Sequence, residues 1–320
     1  MDPWKQGKDI RRRIQRSKPT SCWNIEEDKF EIYSRKTAIN VQKESSIEDN
    51  ESVHTDKSDK KWMLDNSKIR TIEQIVINNV VQRAPYFSPY PKKYHKRDNL
   101  YIWDFSLKYY ASLEEFNARD EECNFQSMNP REIYQTDKYQ VFEFDGDNTD
   151  HRDYLNRLCL LSKLFIEHKY KVINPTSLYF YCLYKKDESN AKLTFWGYFS
   201  KSKRFFKDKK CWENLSWILT LPQYKGKGYG NFLISLSYEL SLKDKKAGSP
   251  ERPISKPGFK IYKAWWMTTI LSYLQESGAG DTTSYLDIQK HTGILDIDTQ
   301  MIVNVMKINE NSEVTYFYLS

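Results

Sequence analysis

The sequence has no apolar run approaching the roughly 18 residues that a membrane-spanning helix needs, and no apolar segment follows its charged start. These absences exclude such a helix and a secretory signal peptide. Cysteines are few, odd in number and never in a C-x-x-C pair: Cys22, Cys123, Cys159, Cys182 and Cys211. A disulfide framework and a zinc site evident from spacing are thereby disfavoured, and we expect a soluble protein of a reducing intracellular compartment.

Acidic residues are outnumbered, with 43 Asp and Glu against 50 Lys and Arg, for a formal net charge of +7. Residues 1–20 hold seven basic and two acidic side chains, which is +5, so most of the excess is a basic amino-terminal arm. Such an arm favours nuclear import or a direct contact with nucleic acid, and a solvated tail is the compatible alternative. Polar composition continues to about residue 66, so we interpret residues 1–66 as a disordered extension.

Hydrophobic spacing predicts a mixed α/β (α+β) fold beyond this extension. The stretch IRTIEQIVINNVV indicates a short helix, and DYLNRLCLLSKLFIEHK (153–169) indicates a longer one. Three β-rich runs follow, SLYFYCLY, KLTFWGYFSK and NLSWILTLP, and they suggest a largely antiparallel sheet. After a proline-punctuated loop, GSPERPISKPGF, the pattern predicts a long apolar helix, two short helices and a terminal strand, VTYFYLS.

Glycine is also scarce, at 11 of 320 residues, yet Gly226, Gly228 and Gly230 fall within five positions. They lie between a predicted strand and an apolar run with helical spacing. Glycines let backbone N–H groups approach a ligand, and a helix beginning there adds its dipole, so this unit can bind phosphate. The spacing fits neither the Rossmann nor the Walker pattern. On these residues alone, a simple tight turn into a helix is an equal alternative.

Five motifs in order resemble the MYST family of histone lysine acetyltransferases: YFSPYP, VFEFDG, LCLLSKLFIEHK, LTLPQYKGKGYGNFLISLSYELS and GSPERPIS. The resemblance covers about residues 68–320. It implies an acetyl-CoA-binding, N-acetyltransferase-like core with a mixed sheet. The expected parts of this 67–320 domain are an amino-terminal subdomain (67–150), the acetyl-CoA-binding core (151–256) and a carboxy-terminal helical lobe (257–320).

The resemblance also implies roles for single residues. Glu251 of SPER matches the general base, which a lysine needs because its ammonium, with a pKa near 10.4, is no nucleophile until it loses a proton. By local sequence alone, a helix-start acid behind Ser249 and Pro250 is the favoured interpretation of Glu251. Ser255 matches a serine that contacts the cofactor, and Lys169 matches a lysine that the family autoacetylates.

The cofactor itself, acetyl-CoA, is expected along two neighbouring segments. Backbone amides of Leu219, Thr220 and Leu221 would line its acetyl and pantetheine arm. The turn would hold its pyrophosphate through six residues: Lys225, Gly226, Lys227, Gly228, Tyr229 and Gly230.

Two departures from the family pattern affect the expected chemistry. Trp217 replaces a cysteine proposed as an acyl acceptor, so we expect direct attack of the lysine on acetyl-CoA rather than a covalent intermediate. Many members carry a C-x-x-C…H…C zinc module, and this chain offers in its place Trp103, Ser106, Arg119 and Cys123. Because three of four ligands are missing, we expect no zinc.

The resemblance implies a nuclear enzyme that acetylates lysines of histone tails on nucleosomes, as a subunit of a multiprotein complex, with no membrane association. A catalytically weakened paralogue that serves in chromatin binding or complex assembly is the alternative, favoured by Trp217 and by Gly226 where an arginine is common. The last two predicted helices carry too few Lys and Arg for a DNA reader, so we interpret them as a structural lobe.

Overall fold

The amino-terminal part of the fold is a small β-sheet with one short helix. The computed structural model describes residues 70–119, 128–166, 175–189, 192–203, 205–206, 211–276 and 283–306. Strands β1 (Gln74–Ile77), β2 (Val80–Arg83), β3 (Leu100–Ile102) and β4 (Tyr109–Tyr110) pair in the order β2-β1-β3-β4. Helix α1 (Leu113–Asn117) begins at Ser112, whose hydroxyl accepts from the Glu115 N–H.

The predicted helix in IRTIEQIVINNVV is wrong, because this stretch forms the antiparallel β1–β2 hairpin. Asn78 and Asn79 have φ of +54° and +58° at its tip. Positive φ at both central residues matches the tight hairpin turn that suits twisted strands, and asparagine tolerates it better than most residues. Ile75 and Ile77 face the core at alternate positions. This is the two-residue periodicity of a strand and not the 3.6-residue periodicity of a helix.

A five-stranded antiparallel sheet follows. The remaining strands are β5 (Arg131–Gln135), β6 (Tyr139–Asp145), β7 (Leu178–Lys186), β8 (Leu193–Ser202), β9 (Phe205–Phe206), β10 (Cys211–Leu215), β11 (Trp217–Thr220) and β12 (Gly248–Pro250). The large sheet has the order β11-β8-β7-β6-β5, and a smaller one has β12-β10-β9, in which β10 and β12 are parallel. The expected mixed α+β architecture is confirmed.

Helices cover both faces of the large sheet. They are α2 (Arg152–Lys163), α3 (Tyr229–Lys243), α4 (Lys256–Glu276), α5 (Tyr285–Thr292) and α6 (Asp296–Met306), with 3-10 turns at Lys92–Tyr94, Thr149–His151, Pro175–Ser177 and Pro222–Tyr224. On one face Leu155 and Leu158 of α2 pack with Tyr198. On the other face Leu233 of α3 and Trp266 of α4 pack with Phe199. Adjacent residues of β8 thus enter opposite cores, as strand geometry requires.

The carboxy-terminal helices pack against α4, and their purely structural role stays a prediction. Ser284 and Asp287 form a capping box at the start of α5, and Gly293 ends this helix with φ of +71°. The predicted terminal strand lies outside the described residues. None of the described helices is long and apolar enough to cross a membrane.

Candidate active site

Left-handed glycines form the turn before α3. Gly226 has φ of +75° and Gly228 of +87°, values that other residues rarely adopt. Gly228 is the residue before α3, and no side chain in the described ranges caps this helix start. The first helical bond runs from the Phe232 N–H to the Gly228 carbonyl, at 3.0 Å. The preceding amides have no partner within the helix, so the turn offers donors and a helix dipole to an anion.

The outer side of this turn is open. A Cβ built at Gly226 would meet no atom within 4 Å, and one at Gly230 would meet only Ile261 Cδ1, at 3.9 Å. Lys225 and Lys227 on either side of Gly226 are exposed. The turn can therefore accept a phosphate group and surround it with positive charge.

Two aromatic rings that the sequence did not single out, Trp196 and Tyr224, pack beside the predicted turn residue Tyr229. The Trp196 ring stacks on Tyr224 with centroids 3.9 Å apart and meets Tyr229 edge-on at 4.6 Å. Asn78, at the hairpin tip of the amino-terminal sheet, donates from Nδ2 to the Tyr224 hydroxyl at 3.0 Å. No local pattern predicts this contact, because it joins residues 146 positions apart.

Strand β11 leads into the turn along the edge of the large sheet. The Leu221 N–H donates to the Trp196 carbonyl at 3.0 Å, so this amide is committed to β8. Successive amides of a strand point to opposite edges, so the Thr220 N–H points away from β8. No strand in the described ranges pairs with that outer edge. Of the three amides predicted to line the acyl arm, only the Thr220 amide points to this open edge. The side chains of Leu219 and Leu221 are buried in the core.

Glu251 directly follows β12 and is half-buried. Its N–H donates to the Leu215 carbonyl at 2.9 Å, which extends the parallel pairing of β10 and β12 by one residue. Leu215 lies two residues before Trp217, the first residue of β11. The carboxylate-bearing segment is thus fixed to the chain that enters the candidate cofactor strand, and the structure brings these two predicted elements together.

Of the two other predicted site residues, Ser255 and Lys169, the structure describes only Ser255. Ser255 precedes α4, and its hydroxyl accepts from the Gly258 N–H at 3.2 Å, so it caps this helix. Because Ser255 is also exposed, capping leaves it accessible to a ligand. Lys169 lies outside the described residues.

Trp217 is buried, with 8% of its surface exposed, in the apolar cluster that includes Leu158 of α2 and Tyr198 of β8. A tryptophan on a half-buried strand typically packs in this way.

Cys159 and Cys182 are buried free thiols in the same cluster, and burial raises the pKa of Cys159 to about 12. Neither thiol is suited to nucleophilic chemistry, because the thiolate is the reactive form.

A separate cavity of about 500 Å³ lies between β5, β8, β10 and the end of α3, and none of the candidate site residues lines it. It contains Lys201, whose ammonium donates to Asn214 Oδ1 at 2.5 Å, the Ser237 carbonyl at 2.9 Å and Ser241 Oγ at 2.7 Å. Three acceptors of the protein thus surround the Lys201 nitrogen, so we assign Lys201 a structural role.

Comparison with protein families agrees with the fold and the motifs. Residues 128–319 match the MOZ/SAS family. Among curated relatives, the histone acetyltransferase ESA1 of Eremothecium gossypii is 36% identical over 251 residues, 78% of this chain and 56% of that protein. ESA1 of Saccharomyces cerevisiae is 39% identical over 210 residues, 66% of this chain and 45% of that protein. Histone acetyltransferase mst1 of Schizosaccharomyces pombe is 40% identical over 206 residues, 64% and 43% respectively.

The comparison also corrects the expectation that no zinc belongs here, because residues 69–123 match the MYST family zinc finger domain. That expectation rested on the four residues at the expected ligand positions, whereas the family match extends over residues 69–123. In the structure, the Arg119 guanidinium lies 5.3 Å from the centroid of Trp103, which joins two of these positions. The described residues contain no group of three His, Cys, Asp or Glu side chains that could hold a metal, and Cys123 lies outside them, so we assign no ligand set.

The chain spans about half the length of these curated relatives. The MOZ/SAS match nevertheless covers more than half of the chain itself, and the glycine turn and SPER segment lie within it. The chain belongs to the MOZ/SAS family, and the resemblance to MYST acetyltransferases is confirmed.

Proposed function

We propose that the protein is a lysine acetyltransferase, which transfers the acetyl group of acetyl-CoA to a lysine of a histone tail. The observation that carries the proposal is the open turn of left-handed glycines at the start of α3, beside the outward edge of β11. The relatives, which are named histone acetyltransferases, support the substrate class.

Acetyl-CoA fits the polar groups of this region. Its pyrophosphate would accept from the amides at the start of α3, with Lys225 and Lys227 adding charge. The Thr220 amide would donate to the acyl arm along the strand edge, and Ser255 would contact the cofactor with its exposed hydroxyl. Acetyl-CoA supplies an activated thioester. The protein must bind this cofactor and remove one proton from the ammonium group of the substrate lysine.

Glu251 would remove that proton from the substrate ammonium, after which the amine attacks the thioester carbonyl and the thiolate of CoA leaves. The hydrogen bond from the Glu251 N–H to Leu215 supports this role, because it fixes the backbone that carries the carboxylate. Trp217 has no thiol, so acyl transfer through this position is excluded. The mechanism is therefore direct attack within a ternary complex.

The remaining assignments belong to the same proposal. We propose a nuclear location, nucleosomal histones as substrates and membership of a multiprotein complex. Direct DNA contact would come from the basic arm in residues 1–20, and autoacetylation would occur at Lys169. The comparisons do not support the alternative of an inactive assembly subunit, and the two residues that favoured it have structural explanations: Trp217 packs in the apolar core and Gly226 adopts a φ of +75°.

The test is transfer of labelled acetyl groups from acetyl-CoA to core histones, by wild type and by Glu251→Gln, with and without co-purified partners. We expect transfer by wild type and a loss of at least about a hundredfold in the variant, with unchanged acetyl-CoA binding. Full transfer by Glu251→Gln would reject the base. Absence of transfer by wild type with partners present would reject the enzyme.

A further inference from the structure

A buried carboxylate lies behind the segment that carries Glu251. Asp298, in the first turn of α6, has no exposed surface, and the Arg252 guanidinium donates to its Oδ1. Arg252 is about half exposed, so the pair joins a buried group to a residue at the surface. A buried carboxylate is costly unless it is paired, so this contact is required for the local fold.

The same carboxylate also lies near Ser249, which precedes Glu251 by two residues in the chain. Ser249 is 6% exposed, and its hydroxyl lies close enough to Asp298 to lower the pKa of this carboxyl. Burial raises that pKa, and Arg252 and Ser249 oppose the rise. Within the described residues, neither Ser249 Oγ nor Asp298 Oδ2 completes a hydrogen bond of good geometry. Asp298 therefore contacts the residue after Glu251 and faces the residue two before it.

Two buried tyrosine hydroxyls lie close enough to this carboxylate to respond to its charge. The buried hydroxyls of Tyr238 and Tyr262 have raised pKa values, first because of burial and also because of the charge of Asp298. Tyr238 is fixed in turn, because its hydroxyl accepts from Trp266 Nε1 at 2.9 Å. Asp298 is thus enclosed by protein groups and not by solvent.

The backbone of the segment joins the carboxy-terminal lobe as well. The Gly248 N–H donates to the Gly293 carbonyl at 3.0 Å, and Gly248 forms a parallel bridge with Ile294. A Cβ at Gly248 would come within 2.8 Å of Asn214 Cβ, so this close approach needs glycine. Residues 248–252 are therefore held between β10 on one side and the α5–α6 region on the other.

We propose that Asp298 is a positioning residue, which sets the orientation of the Glu251 carboxylate by holding Arg252, the next residue along the chain. This inference rests on the proposed function of Glu251 as base. A purely structural ion pair would stabilise the lobe without affecting the proton-transfer step. A positioning residue affects kcat in a protein that remains folded, because small displacements of a base are costly.

The experiment compares Asp298→Asn with Asp296→Asn, a matched change two residues earlier at the start of α6. In the full chain with its partners, we expect Asp298→Asn to lower kcat about tenfold, with KM for acetyl-CoA within twofold of wild type. Asp296→Asn should retain wild-type kcat. Arg252→Lys, which keeps a cation, should lose less kcat than Arg252→Met; this pair keeps the test decisive if Asp298→Asn does not fold.

A second measurement does not depend on activity. Amide hydrogen exchange over residues 248–254 should become at least about tenfold faster in Asp298→Asn, while the middle of α3 stays protected. Wild-type kcat in a folded Asp298→Asn, an equal loss in Asp296→Asn, or unchanged exchange over residues 248–254 would overturn the inference. If the wild type transfers no acetyl group but Asp298→Asn still speeds up exchange, the proposed function is rejected. The structural contact between Asp298 and Arg252 is then supported on its own.

Discussion

The Glu251 N–H donates to the Leu215 carbonyl at 2.9 Å, at the end of a parallel strand pair. This bond joins the segment of the proposed base to the residue two before the first residue of β11. Parallel neighbours are brought together by a crossover connection, which here contains β11, the glycine turn and α3. The proposed base and the proposed cofactor turn are thus joined by one continuous piece of chain.

The left-handed glycines should tolerate substitution poorly. We expect Gly226→Ala to lower the free energy of unfolding by about 1 kcal/mol, because φ is +75° there while no atom crowds the new Cβ. Binding of acetyl-CoA, measured by calorimetry, should weaken with it. Gly230→Ala is the matched control, because its Cβ would make only an ordinary contact and alanine favours a helix. Equal losses in both variants would show that backbone conformation is not the cause.

The two lysines of the turn should attract the cofactor by charge. We expect the double change Lys225→Gln and Lys227→Gln to weaken acetyl-CoA binding roughly tenfold at low salt, and less at high salt. The control is Lys243→Gln, a single change in the last turn of α3, at the other end of the helix. Dissociation constants across a salt series decide the matter. A loss that does not depend on salt would mean that the lysines act by packing.

Part of the site follows from the sequence because it is local. A glycine turn before an apolar helix, and an acid in a proline-flanked loop, lie in short contiguous motifs whose backbone preferences can be read directly. The β1–β2 hairpin resembles a helix in its sequence because short apolar runs fit both periods, and only the turn preference of Asn78 and Asn79 distinguishes the two. The contacts of Asn78 with Tyr224 and of Arg252 with Asp298 join distant positions, and only the tertiary structure defines them.

Trp217 should be required for stability rather than for chemistry. We expect Trp217→Cys to lower the free energy of unfolding by about 3 kcal/mol, because a buried indole leaves a cavity. Trp217→Phe should cost less, since it keeps most of the ring volume. Denaturant unfolding measures both changes. Mass spectrometry after incubation with acetyl-CoA alone should find no acetyl group on the introduced thiol, and an adduct there would mean that position 217 reaches the acetyl group instead of lying only in the core.

Lys201 should make stability depend on pH in the alkaline range. Burial lowers its pKa to about 7, whereas an unfolded lysine titrates near 10.4. Between these values the unfolded chain binds a proton that the folded chain has released, so the contribution of Lys201 to the free energy of unfolding rises with pH. Asp244 and Lys246 are the nearby charges, and they act in opposite directions on this pKa.

Lys201→Met removes this titration, so its stability deficit relative to wild type should grow from pH 7 to pH 9. Lys203→Met is the control on the same strand. The Lys203 ammonium is paired with Asp145 and Asp147, and these partners raise its pKa despite partial burial. Lys203 thus keeps its proton in both states across this window, and the deficit of Lys203→Met should stay flat. Denaturant unfolding at several pH values distinguishes the two slopes, and parallel slopes would mean that Lys201 stays charged in the folded protein.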